Sequence, residues 1–69
     1  MTEAVDAATA ATSHDPRVGL QAVAALRSLV ERLEALQVDR ARGQGWSWEE
    51  IGQALGVSRQ AVHKKHGRR

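Results

Sequence analysis

The sequence contains no cysteine, no phenylalanine and no tyrosine, and its single proline is Pro16. The absence of cysteine excludes disulfide bonds and thiolate metal sites. No stretch is apolar for long enough to span a bilayer. The N-terminal residues lack the basic segment and the apolar run of a signal peptide, so we expect a cytoplasmic protein. A chain of 69 residues forms at most one domain, and a core of that size is marginal on its own.

Residues that would indicate catalysis or a cofactor site are also missing. No glycine-rich phosphate loop precedes a lysine, and no histidine is paired with a carboxylate in a catalytic pattern. His63 and His66, with His14 far away in the chain, raise the question of a metal site, but no acidic residue lies near His63 and His66 at ligand spacing. We therefore expect no metal, no cofactor and no enzymatic activity.

Positive charge is concentrated at the C-terminal end of the chain. The formal net charge is +2, with 10 Lys and Arg against 8 Asp and Glu. No Lys or Arg occurs in residues 1–16, whereas residues 58–69 contain no acid. The basic residues of that last segment are Arg59, Lys64, Lys65, Arg68 and Arg69. Such a concentration of charge indicates a phosphate-bearing partner, although a solvated basic tail has the same composition.

Residues 1–14 are rich in alanine and threonine and show no apolar periodicity, which predicts a flexible tail. A long helix is predicted next. Asp15 suits its N-cap, and Pro16 suits the first helical position, where the missing N–H has no cost. We expect the helix to reach about Arg42, where Gly43 then offers a left-handed C-terminal cap.

A row of leucines marks one face of this long helix. The leucines recur at three-four-three spacing, and Val23 and Val30 beside them widen the apolar face. Because the rest of the chain is too short to cover so long a helix, the spare apolar surface predicts a homodimer or a partner protein. Packing in a core of the monomer is the alternative. The residues of the predicted interface are Leu26, Leu29, Leu33 and Leu36.

A second helix has a strong start signal in the stretch GWSWEEIGQALG. Ser47 followed by Glu50 predicts a capping box, in which each side chain accepts a hydrogen bond from the backbone N–H of the other residue. Trp46 and Ile51 flank this box and predict a hydrophobic staple. Gly56 is expected to end the helix, because glycine adopts a positive φ without steric cost.

A third helix is predicted after a turn of three residues, 56–58. Ser58 suits its N-cap, Val62 is its clear apolar contact, and Gly67 ends it. Close packing of two helices joined by so short a turn requires a small residue on the first helix, and Gly52 is placed there. The apolar residues predicted to wedge between the two helices are Ile51, Leu55, Val57 and Val62.

The stretch WSWEEIGQALGVSRQAVHKKH, residues 46–66, resembles the helix-turn-helix of small bacterial transcription regulators and of the DNA-binding end of sigma factors. Its centre, EIGQALGVSRQAV, is similar to a form common in actinobacteria with high-GC genomes. The resemblance implies an all-α domain over residues 15–69, a three-helix DNA-binding domain. A long N-terminal helix would precede a helix-turn-helix at about residues 47–66, whose second helix lies in the major groove of DNA.

The resemblance also implies that the outer face of the third helix contacts DNA. An arginine such as Arg59 can pair with guanine, and a glutamine such as Gln60 can pair with adenine. Either residue can instead contact a phosphate, which positions the protein but does not read sequence. The predicted base contacts are Arg59, Gln60, His63 and Lys64, and the predicted phosphate contacts are Ser58, Lys65, Arg68 and Arg69.

The sequence departs from the family pattern near the end of this helix. Lys65 and His66 stand where family members usually have an apolar or aromatic residue, which predicts a loosely held last turn. The turn glycine, the small residue and the apolar wedges all follow the pattern.

These features together predict sequence-specific binding to double-stranded DNA in the nucleoid, by a transcription regulator that acts as a homodimer. Two other functions remain open. One is a protein–protein adaptor whose long helix docks on RNA polymerase or a larger regulator. The other is a nucleoid-associated protein that binds DNA with little sequence preference. None of the three involves a membrane.

Overall fold

The computed structural model describes residues 2–67, with side chains described from Ala4 onward. Within that range every regular element is helical, which confirms the all-α class. The helices are α1 (Thr2–Ala10), α2 (Pro16–Gly43), α3 (Trp48–Leu55) and α4 (Arg59–His66). The chain divides into two compact units, unit 1 (Met1–Leu33) and unit 2 (Glu34–Arg69). No helix in the described range is both long enough and apolar enough to cross a membrane.

Helix α1 forms where the sequence predicts a flexible tail. Alanine has the highest intrinsic helix propensity, which favours a helix even where no apolar stripe is present. Ala4, Ala7 and Ala10, three residues apart, are half-buried. The Thr9 hydroxyl donates a hydrogen bond to the carbonyl of Val5, 3.0 Å away, and so stays within the helix.

The start of α2 is as predicted. Pro16 is its first residue, and the Arg17 N–H donates a hydrogen bond of 3.0 Å to Asp15 Oδ1, so Asp15 is the N-cap. In unit 1, Gly19 and Ala22 are buried, and these are the smallest residues of the first two turns.

The left-handed cap of α2 lies two residues later than predicted. Gly43 lies inside the helix, and Gly45 has the positive φ, +88°. The Gly45 N–H donates to the Arg42 carbonyl (3.0 Å) and the Trp46 N–H donates to the Ala41 carbonyl (3.0 Å). In this pair of hydrogen bonds, the residue that donates to the Arg42 carbonyl must adopt the left-handed conformation. That residue is Gly45, so the cap is Gly45 and not Gly43.

Helix α3 begins and ends as predicted. The Ser47 N–H donates to Glu50 Oε1 (2.8 Å) and the Glu50 N–H donates to Ser47 Oγ (3.1 Å), which completes the capping box. The hydrogen bond from the Ser47 backbone N–H, followed by one from the Ser47 side chain, lowers the pKa of the Glu50 carboxyl. At the other end Gly56 has φ +76°, and the Val57 N–H donates to the Gly52 carbonyl at 2.9 Å.

The core of unit 2 consists of one residue from each of α2, α3 and α4: Val38, Ile51 and Val62. Ala41 and Trp48 are partly buried against them. The prediction of Ile51 and Val62 as wedge residues is therefore confirmed. The prediction is wrong for Leu55 and Val57, which are 41% and 47% exposed.

The leucine row of α2 does not contribute to this core. Leu36 is 43% exposed, whereas Val38, two residues later, is 3% exposed. Two residues turn a helix by about 200°, so these side chains point to nearly opposite sides. Of the other predicted interface residues, Leu26 and Leu29 are half-buried and Leu33 is exposed.

Candidate nucleic-acid interface

A tight turn joins α3 to α4 at residues 56–58, and Gly52 makes it possible. A Cβ atom built on Gly52 would lie 2.8 Å from the Val57 carbonyl oxygen and 3.2 Å from the Ser58 carbonyl carbon. The backbone of the turn therefore contacts α3 where no side chain is present. The Ala61 N–H donates to Ser58 Oγ at 3.1 Å, so Ser58 is the N-cap of α4, as predicted.

Helix α4 has one buried face. Val62 and His66 are four residues apart, share that face and are 2% and 6% exposed. The other residues of the helix are all exposed: Arg59, Gln60, Ala61, His63, Lys64 and Lys65. Since α4 contains no acidic residue, its exposed surface is polar and cationic.

The four predicted base-contact residues differ in their surroundings. Gln60 and Lys64, four residues apart, lie on the side of α4 away from Val62. Arg59 is exposed in the first turn. The His63 ring is also exposed, but it packs edge-on against Trp48 of α3, with 5.1 Å between the ring centroids.

The last turn of α4 is held firmly, contrary to the prediction. His66 Nε2 donates a hydrogen bond of 2.7 Å to Glu34 Oε2 on α2, and Lys65 Nζ lies 3.0 Å from the same oxygen. His66 is therefore buried with its ring nitrogen hydrogen-bonded. An apolar residue at this position would be buried without needing such a partner. The sequence around His66 does not indicate this contact, because Glu34 is 32 residues away in the chain.

Two of the residues predicted to contact phosphates already take part in contacts within the protein. Lys65 is paired with Glu34, and the Ser58 hydroxyl accepts the hydrogen bond of the helix cap. Both residues are exposed on α4 or at its start. The other two predicted phosphate contacts, Arg68 and Arg69, lie outside the described residues.

A residue that sequence reasoning missed is Arg42. Its guanidinium carbon lies 4.6 Å from the centroid of the Trp48 ring, and its Nη1 donates a hydrogen bond of 2.8 Å to the Trp46 carbonyl. Arg42, Trp48 and His63 form a cluster, the Arg42–Trp48–His63 cluster, which connects α2, α3 and α4. No sequence signal marks it, because its members come from three different helices.

Two grooves flank these contacts within unit 2. The apolar groove, between α2 and α3, includes the exposed side chains Trp46 and Leu55 in its lining. The polar groove lies where α2 meets the start of α3 and the end of α4. It is lined by Val38, Asp39, Arg42, Trp48, His63, His66 and Gly67. Among residues 2–67, no group of three or more histidine, aspartate and glutamate side chains is arranged to bind a metal ion.

Replacement of Glu34 by glutamine is expected to lower the free energy of unfolding in a pH-dependent way. The hydrogen bond from His66, together with Lys65, lowers the pKa of the Glu34 carboxyl from its ordinary value of 4.5. A carboxyl whose pKa is lower in the folded protein contributes stability above its unfolded pKa, and loses it as the pH falls through the folded pKa. We expect Glu34→Gln to cost about 1 kcal/mol at neutral pH and progressively less below pH 4.5.

Urea unfolding at a series of pH values measures this difference, and Glu31→Gln is the control. Glu31 is exposed on the same helix, three residues earlier. The capping carboxyl of Glu50 contributes equally to wild type and variant, so its own pH dependence cancels. A cost of Glu34→Gln that is constant from acidic to neutral pH would show that the carboxylate charge does not hold α4.

The comparisons with known proteins identify no relative. No protein-family model matches this chain, and neither a curated protein nor a solved structure matches it. The assignment of function therefore depends on the residues and contacts described above.

Proposed function

We propose that the protein binds double-stranded DNA through α3, the turn and α4, and regulates transcription as a homodimer. The observation that supports this most is the division of α4 into two faces. Val62 and His66 hold one face to the rest of unit 2, and the opposite face presents exposed cationic and amide side chains without any acid.

The dimensions and chemistry of α4 suit the major groove. An α-helix with its side chains is about 10–12 Å in diameter, and the major groove of DNA is about 12 Å wide. The Arg59 guanidinium matches guanine O6 and N7, and the Gln60 amide matches adenine N6 and N7. Lys64 lies one turn after Gln60 on the same side, where it reaches a base edge or a phosphate.

The rigidity of α4 also supports base reading. Sequence discrimination requires side chains that are held in a fixed geometry. The helix is capped at Ser58, is held in the core by Val62, and is hydrogen-bonded to α2 through His66 at its last turn. A basic segment that only neutralises phosphates needs none of these three contacts.

A homodimer is proposed because one α4 makes few contacts. Helix-turn-helix proteins usually obtain specific affinity from two copies that bind two half-sites. Exposed apolar residues on α2 supply a surface for self-association, and these include Val30, Leu33 and Leu36.

The same exposed apolar residues favour a second candidate function, a protein–protein adaptor. In that case α2 docks on RNA polymerase or a larger regulator, and unit 2 only positions the complex. The two functions differ in whether the exposed face of α4 contacts DNA.

Selection of bound duplexes from random DNA, followed by affinity measurements across a salt series, tests the proposal. We expect a repeated half-site with a spacing near one helical turn, about 34–36 Å. Gln60→Ala should reduce discrimination at one base pair by about 1–3 kcal/mol, because the amide reads a base. Lys64→Ala should weaken binding, with a shallower salt dependence if it contacts a phosphate.

Gln21→Ala is the matched control, since Gln21 is an exposed glutamine on α2 in unit 1. Equal affinity for selected and random duplexes would instead favour a nucleoid-associated protein with little sequence preference. If the wild type does not bind DNA at moderate salt, or if the two α4 variants bind it unchanged, the adaptor function is favoured.

A further inference from the structure

We propose that Arg42 of α2 contacts a DNA backbone phosphate at the edge of the DNA major groove that α4 enters. This inference rests on the proposed function and extends its binding surface beyond α4. It is based on the Arg42–Trp48–His63 cluster, which no sequence motif predicts.

The cluster places Arg42 next to the exposed face of α4. Trp48 lies between Arg42 and His63 and contacts both, at 4.6 Å to the guanidinium carbon and 5.1 Å between ring centroids. His63 follows Gln60 by three residues on α4, so it flanks the side that faces away from the core. The major groove is about 12 Å wide and is bordered by phosphates. When α4 lies in the groove, Arg42 is separated from the side of α4 only by the Trp48 ring, and so it lies close to these phosphates.

Arg42 is also held in place before any ligand binds. An exposed arginine loses up to about 2 kcal/mol of side-chain entropy when it is fixed. For Arg42 part of that cost is met within the protein, because its Nη1 donates to the Trp46 carbonyl at 2.8 Å and its guanidinium stacks on Trp48. Its side chain is nevertheless exposed, and a guanidinium has five N–H donors.

The charges around the cluster favour an anion on its outer side. Asp39 is among the residues that line the polar groove, and its carboxylate disfavours a phosphate close to it. Helix α4, which borders the same groove with His63 and His66, has no acid. A phosphate is therefore expected against the outward N–H groups of Arg42, towards α4.

The test measures the affinity of the full chain for a selected and a random duplex between about 50 and 200 mM salt. We expect Arg42→Gln to make the slope of log affinity against log salt shallower by about 0.9, the value for one phosphate contact. The affinity loss should be the same factor on both duplexes, because a phosphate contact does not read sequence. Arg42→Lys keeps the charge and should retain most of the slope.

Arg40→Gln is the matched control. Arg40 is exposed on α2 two residues earlier, so it points to the other side of the helix, and it lines the apolar groove. Its replacement removes the same charge but should leave the slope near that of wild type. Equal slopes for Arg42→Gln and Arg40→Gln would overturn the role of Arg42.

The experiment distinguishes failure of the proposed DNA binding from failure of the Arg42 contact. Wild type that does not bind duplex DNA at low salt overturns the proposed function and this inference with it. Wild type that binds, with an Arg42→Gln slope equal to its own, overturns the inference alone. If Arg42→Gln does not fold, the Arg42 Nε–H resonance of the wild type is followed by NMR as duplex is added. A shift that saturates with binding supports the phosphate contact, and an unchanged resonance excludes it.

Discussion

Ile51→Ala is expected to remove about 2–5 kcal/mol from the free energy of unfolding of unit 2. Ile51 is 3% exposed and lies in the core with Val38 and Val62, so the truncation leaves a cavity where three helices meet. For a chain of this length the whole stability is about 3–10 kcal/mol. The variant should therefore be largely unfolded at a temperature where the wild type is folded.

Tryptophan fluorescence during urea or thermal unfolding measures this loss. Both tryptophans, Trp46 and Trp48, belong to unit 2, so the signal follows that unit. Leu55→Ala is the matched control, since Leu55 lies one turn later on α3 and is 41% exposed. It should cost far less. Equal costs for the two truncations would contradict the burial of Ile51 and the exposure of Leu55, and would support the wedge role that the sequence predicts for Leu55.

Gly52→Ala is expected to destabilise unit 2 by about 1–3 kcal/mol, although alanine is the better helix former. The added Cβ would lie 2.8 Å from the Val57 carbonyl oxygen and 3.3 Å from the Arg59 backbone nitrogen. These are backbone atoms, so no side-chain rotation relieves the contact, and the turn must move away from α3. Under the proposed function, DNA binding should weaken as well, because α4 moves with the turn.

Gly43→Ala is expected to have the opposite effect on stability. Gly43 is the last residue of α2, and a Cβ there would meet nothing within 4 Å. The substitution should be neutral or stabilise the protein by up to about 1 kcal/mol. The two glycine variants, compared by urea unfolding, differ in sign. A stabilising Gly52→Ala would mean that the turn lies further from α3 than the structure shows.

Hydrogen bonds between residues close in the chain could be predicted well. The caps at Asp15, Ser47 and Ser58 and the left-handed Gly56 all follow from donors and acceptors two to five residues apart. The end of α2 shows the limit of such signals. A left-handed cap also forms after α2, but at Gly45 and not at Gly43, because the backbone is still helical at Gly43.

Intrinsic propensity was the local signal that sequence reasoning left out. Helix α1 forms over a stretch with no apolar stripe, and its half-buried residues are alanines. The small amount of surface that these residues can bury predicts a flexible tail, whereas the low free-energy cost of alanine in a helix favours α1.

Contacts between helices were beyond the reach of sequence reasoning. The periodicity of α2 marks its leucines as one face, but Val38 enters the core of unit 2 while Leu36 stays exposed. In the sequence His66 predicts a loosely held last turn, but in the structure it is hydrogen-bonded to Glu34. Arg42 is only a charge near the end of α2 in the sequence, but in the structure its guanidinium stacks on Trp48.

The sequence by itself determined an all-α chain, the start of three of its helices, the glycine turn before α4 and the concentration of basic residues at the C-terminal end. Tertiary structure alone decided which apolar residues form the core and which polar residues hold α4. The physical reason is that a periodic pattern gives the direction of side chains relative to one another on a helix. Only the packing of other helices decides which of those directions is buried.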